Sequence, residues 1–210
     1  MKTKIKLICI LAMMIMLSLK GFSQDTSKIA AIKAAFESSY IYEKGAQYLF
    51  AINKLKAVYD EKSYELNLRL GYVYYEAALY REAEKYYKKA IELKPTSIEA
   101  KLGFVLPLAA LTSWDTVRMQ YEAIIKIDPN NSTASYRLGL VYYYKSDYKT
   151  ALPYFEKVNV LYPFDYDNNL MYAWTNLKLG NKTIAKTLFN TALMNRPNDA
   201  SAMEGLKAIK

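Results

Sequence analysis

The chain has 210 residues, a hydrophobic fraction of 52%, a formal net charge of +9, one cysteine (Cys9) and no histidine. Absent histidine removes the usual general base and the commonest transition-metal ligand, and a lone cysteine excludes an intrachain disulfide. No Gly-rich phosphate loop, nucleophile elbow or metal-ligand spacing appears, so the expectation is a non-enzymatic chain with no cofactor, no metal and no catalytic residues.

Residues 1–23 read as a secretory signal peptide. Lys2, Lys4 and Lys6 form a positive start, Leu7–Leu19 is apolar apart from Ser18, and Gly21 and Ser23 precede a cut before Gln24. The apolar run is shorter than the about 20 residues of a membrane span, so cleavage is expected and no stable span remains. The segment carries Cys9 and four lysines, which leaves a net charge of about +5 on the rest. Such a charge spread over helices is ordinarily a solvated exterior. The ending Phe22-Ser23-Gln24 resembles signal peptides of Gram-negative envelope proteins, which implies a periplasmic, envelope or secreted location.

Residues 24–31 read as a polar lead-in. A first, irregular unit follows over 32–63. Phe36 and Tyr40 lie on its first helix, Gly45-Ala46 at its turn, and Ala51, Leu55 and Val58 on one face of its second helix. A second unit, 64–97, carries Leu70, Gly71 and Tyr74 on one helix and Ala83, Tyr87 and Ala90 on the next. Gly71 is expected where two helices approach closely, with bulky residues filling the remaining space. The third unit, 98–131, has Phe104-Val105 in place of Leu-Gly, Val117 in place of alanine, and Pro107 within its first helix. A kink or a shifted register is expected there. The fourth, 132–165, restores the pattern with Leu138, Gly139, Ala151 and Phe155, and Ser146-Asp147 supplies capping oxygens. The fifth, 166–199, has Ala173, Ala185, Phe189 and Ala192, with Gly180-Asn181 at its turn. Residues 200–210 begin another helix, with Met203 and Leu206 on the face that would cover the last unit.

Pro95, Pro129, Pro163 and Pro197 recur every 34 residues. With the residues above on that period, the chain resembles the tetratricopeptide repeat. The resemblance implies an all-α, right-handed α-solenoid of about five helix–turn–helix units and a C-terminal capping helix.

In that family the first helix of each pair lines a concave surface. The resemblance therefore places Phe36, Leu68, Leu102, Leu106, Leu140 and Leu170 on a groove. It also places there a candidate partner-binding set of Tyr40, Tyr72, Tyr75, Glu76, Tyr136, Tyr143, Tyr144, Trp174 and Lys178. Of 21 tyrosines, Tyr74, Tyr87, Tyr121, Tyr142 and Tyr148, with Phe155, are expected as core. Three consecutive tyrosines, 142–144, cannot all face one side of a helix. The cationic clamp by which some relatives hold a C-terminal carboxylate is missing, because Leu68, Tyr72, Leu102 and Leu106 stand in its places.

Asp165, Asp167, Asn168 and Asn169 lack the glycine and terminal glutamate of a calcium loop and read as a capped junction. Glu82, Glu84, Lys85, Lys88 and Lys89 read as a solvated face. Asn131-Ser132-Thr133 and Asn181-Lys182-Thr183 fit the glycosylation pattern. The functional expectation is a protein-interaction scaffold whose partner is a protein of the envelope or a secreted one. Glycan or small-ligand binding by the aromatic groove is the alternative. Export argues against nucleic acid, and self-association stays open.

Overall fold

The computed structural model describes residues 26–209; the signal-peptide expectation for residues 1–23 lies outside them. Every regular element among the described residues is an α-helix. The chain divides into two compact units at Lys94/Pro95.

The first unit contains α1 (residues 26–44), α2 (Tyr48–Lys56), α3 (Tyr64–Glu76) and α4 (Tyr80–Leu93). Residues 26–31, expected as a lead-in, are helical and belong to α1. The core is formed by Ala51, Ile52 and Leu55 of α2, Leu66, Leu70 and Val73 of α3, and Tyr86 of α4.

The second unit contains α5 (Ile98–Ala110), α6 (Trp114–Ile127), α7 (Ser132–Tyr144), α8 (Tyr148–Leu161), α9 (Tyr166–Lys178), α10 (Lys182–Asn195) and α11 (Ala200–Ala208). Each helix packs on the next in sequence, and α11 closes against both α9 and α10. Its main core joins Ala151 and Phe155 of α8, Tyr172 and Ala173 of α9, Ala185, Phe189 and Ala192 of α10, and Ala202 of α11.

Capping explains why the first helix of each pair starts where it does. Ser63, Ser97, Asn131, Asp165 and Asp199 each accept a hydrogen bond from a backbone N–H three residues on. Each satisfies one orphan donor of a first turn, a contribution of about 1 kcal/mol. The second helices lack this device except α8, where Asp147 accepts from the Thr150 N–H. Asp165 is thus a helix cap, and no metal-ligating cluster of His, Cys, Asp or Glu occurs among the described residues.

Two small-residue contacts set the helix spacing within pairs. A Cβ on Gly71 would lie 2.9 Å from the Tyr87 ring, and one on Gly139 would lie 2.8 Å from Phe155. Ordinary carbon contacts need about 3.5–4.0 Å. The turn inside each pair demands a left-handed residue, supplied by Ala46, Ala78, Thr112, Ser146 and Gly180, with φ between +53° and +83°.

The register shift expected in the third unit is absent. Helices α5 and α6 have 13 and 14 residues, the same as α3 and α4, and start 34 positions after them. Pro107 lies three residues before the end of α5, and the helix runs through it to Ala110. Pro107 has no N–H to donate to the Gly103 carbonyl one turn earlier, and its own carbonyl accepts from the Leu111 N–H at 3.0 Å.

Candidate functional site

The first helices bury one face in the seam and leave the opposite face open. In the first unit Leu66, Leu70 and Val73 of α3 are fully buried, whereas Leu68, Tyr72, Tyr75 and Glu76 are half-buried. In the second unit Ala134, Leu138 and Gly139 of α7 are buried, whereas Tyr136, Leu140 and Tyr143 are half-buried and Tyr144 is 76% exposed. On α9, Trp174 is half-buried and Lys178 exposed.

These side chains fall into two clusters, one in each unit. In the first, Tyr40 lies under a buried arginine. The Arg69 guanidinium is 3.9 Å from the Tyr40 ring centroid and 5.5 Å from that of Tyr72. Its Nε donates to Ser39 Oγ at 3.1 Å, and its Nη2 pairs with the Glu43 carboxylate. Burial, then the Glu76 and Glu43 carboxylates, push the Tyr72 phenol up to about 12. Tyr75 packs at 5.8 Å against Tyr80, the first residue of α4.

The second cluster has Tyr143 at its centre. Its ring meets Tyr148 at 5.3 Å and Tyr144 at 5.6 Å, both edge-on. Tyr136 sets its edge on Phe155 at 5.9 Å, and burial, then Asp167, push its phenol up to about 12. Trp174 stacks edge-on against Phe189 at 5.1 Å, and its indole N–H donates to Ser201 Oγ at 2.9 Å. Trp174 is therefore tied to α11 while showing part of its surface. The Tyr75–Tyr80 and Tyr143–Tyr148 pairs occupy equivalent positions. The third repeat has Ala109 and Trp114 there, and Trp114 is 49% exposed.

Among the tyrosines expected as core, Tyr87 and Tyr121 are buried, as is Phe155, whereas Tyr74, Tyr142 and Tyr148 are half-buried. Tyr74 stacks on Tyr86 at 5.1 Å and Tyr142 on Tyr154 at 5.8 Å, again at equivalent positions.

With this geometry, residues 64–97 and 133–164 each match sequence profiles of the tetratricopeptide repeat. Those two segments are tetratricopeptide repeats. No curated protein sequence matches it. Among solved structures, a tetratricopeptide repeat protein from Parabacteroides merdae superposes with a TM-score of 0.74 at 20% identity, over 86% of this chain and 72% of that one. A MamA protein gives 0.70 at 22% identity, over 78% and 91% of the two chains. YrrB, a tetratricopeptide-repeat protein described as having an unusual peptide-binding site, gives 0.69 at 16% identity, over 82% and 90%. These likenesses establish the fold.

Sequence reasoning missed Arg69, Glu43 and Ser39. Arg69 shares its repeat position with Arg137, yet Arg69 is 8% exposed and Arg137 is exposed. One repeat earlier, the positions of Tyr40 and Glu43 are filled by Leu106 and Ala109, so Arg137 has neither an aromatic face nor a carboxylate from that helix. The only signal for Arg69 lay in that comparison between repeats.

Proposed function

We propose that the protein is a non-enzymatic interaction scaffold that captures a segment of a partner protein on the open faces of its first helices. The observation that carries this reading is a contrast within single helices. On α3 and α7 the seam side is buried to the last atom, while the other side keeps tyrosines and leucines in partial contact with water. Tyrosine suits that position, since its stiff ring offers apolar area and its hydroxyl tolerates water. A tetratricopeptide fold suits it too: YrrB is described as binding a peptide.

Of the candidate residues, Tyr40, Tyr144 and Lys178 are exposed, and Tyr72, Tyr75, Glu76, Tyr136, Tyr143 and Trp174 are half-buried. The signal-peptide reading of residues 1–23 places this activity in the periplasm or cell envelope, with an envelope or secreted protein as partner. Among the described residues no helix is long and apolar enough to cross a membrane.

The test is affinity capture from envelope extract with the wild type and with Tyr72→Ala/Tyr143→Ala/Tyr144→Ala, after thermal melts show both folded. The variant should lose the specific partner. Equal retention of that partner by both proteins rules out the tyrosine faces.

A further inference from the structure

The turn between the fourth and fifth repeats differs from its three counterparts. Its sequence is Val160-Leu161-Tyr162-Pro163-Phe164, against Glu92-Leu93-Lys94-Pro95-Thr96, Lys126-Ile127-Asp128-Pro129-Asn130 and Met194-Asn195-Arg196-Pro197-Asn198. Where the siblings mostly carry charged or amide side chains, this turn has Val160, Tyr162 and Phe164, which are 77%, 54% and 57% exposed. Leu161 follows the ordinary pattern.

The fold does not need these three side chains. The turn is held by its backbone: Asn195 Nδ2 donates to the Phe164 carbonyl at 3.0 Å, and Asn169 Nδ2 donates to the Pro163 carbonyl at 2.9 Å. The Tyr162 N–H donates to the Val158 carbonyl at 2.8 Å. The first of these bonds sets the end of α10, with Met194 72% exposed, beside Phe164. A fixed turn thus presents a pre-organised apolar patch.

We infer that this patch is a self-association surface, occupied by the same patch of a second copy of the chain. Two half-exposed aromatic rings with Val160 and Met194 amount to on the order of 400–500 Å² per copy. Paired about a two-fold axis they cover about 800–1,000 Å², the lower edge of specific association and the size of a weak, reversible dimer. Charge favours a second copy as the occupant. The chain is net positive, so copies repel wherever like charges would face each other. On the patch, Val160 and Tyr162 stand where siblings have Glu92, Lys126, Lys94 and Asp128, so self-pairing desolvates no charged side chain at these two positions.

The sibling repeats supply the test variant, Val160→Lys/Tyr162→Asp/Phe164→Asn, which installs the residues of the 126–130 turn. Sedimentation over a wide concentration range should show the wild type in reversible monomer–dimer exchange. The variant should dissociate at least about tenfold more readily, with unchanged helical content and melting temperature. A wild type that stays monomeric, or dimers of equal strength in both proteins, overturns the inference. So does a monomeric wild type that floats with phosphatidylcholine vesicles while the variant does not, which would give the patch to lipid.

Discussion

The Arg69 guanidinium lies 3.9 Å over the Tyr40 ring while its Nη2 pairs with Glu43, so one buried cation ties α3 to α1. Helix α1 belongs to the atypical first repeat, and this polar cluster fastens it to the first regular one. Arg69→Met keeps the aliphatic stem and removes the charge. It should cost about 2–3 kcal/mol in urea unfolding, below the about 3–5 kcal/mol of fully buried pairs because Glu43 is partly hydrated. Hydrogen exchange should quicken in α1 first. Arg137→Met, at the equivalent position, should stay within about 0.5 kcal/mol.

The turns inside the pairs carry strain that glycine would relieve. Thr112 is β-branched and sits at φ +56°, a region that costs an L-residue about 1–2 kcal/mol. Thr112→Gly should stabilise the protein by about 0.5–1 kcal/mol after the extra entropy lost by glycine. Gly180→Val should destabilise it by a similar amount. Thermal denaturation of both variants decides this.

Gly205 lies closer to Phe189 than Gly71 does to Tyr87 or Gly139 to Phe155. An added Cβ would lie 2.1 Å from the Phe189 ring, which is itself fully buried. Gly205→Ala should push α11 off α9 and α10 and break the Trp174–Ser201 hydrogen bond. The loss expected is about 1–3 kcal/mol, read by melting and by a red-shifted, more exposed tryptophan emission.

One side chain falls short of its place. Asn67 Nδ2 reaches the Ser63 carbonyl at 2.7 Å and the Glu61 carbonyl at 3.1 Å, and Asn169 reaches the Pro163 carbonyl. Ser135 holds the same repeat position, is buried, and its hydroxyl has no hydrogen-bond partner. Ser135→Asn should restore the clip to the preceding turn and raise stability by about 1 kcal/mol in the same assay.

Alkaline pH should unfold the protein steeply. Burial raises the phenols of Tyr59, Tyr74, Tyr86, Tyr121, Tyr143, Tyr154 and Tyr172 above 10.0, and those of Tyr72 and Tyr136 to about 12. A raised folded-state value means that the unfolded chain gives up these protons first. The stabilisation is whole below pH about 10 and falls as pH climbs toward about 12. A phenolate absorbance titration should show these nine tyrosines ionising together with loss of helical circular dichroism.

Repeat length, turn positions and seam residues were legible because each recurs every 34 residues and carries a local cause: a cap, a left-handed turn, a small residue opposite a ring. Pro107 misled because one missing N–H does not end a helix whose remaining backbone bonds are made: α5 keeps the 13 residues of α3 and runs on to Ala110. Arg69 was illegible because its burial depends on Glu43 and Tyr40, a partnership between helices that periodicity within one helix does not encode. The open face was legible as a pattern of tyrosines. How far Trp174 is committed to α11 depended on Ser201, which no repeat spacing marks.

The central claim is that partner capture uses the open first-helix faces. A photo-crosslinking amino acid placed at Tyr144, and in a second protein at the exposed second-helix position Lys149, tests it in cells. Crosslinking of one defined protein from position 144, weak from 149 and lost when Tyr136 and Tyr143 are changed to alanine, is the result expected. Equal crosslinking from both positions, or capture from 149 alone, would contradict the account.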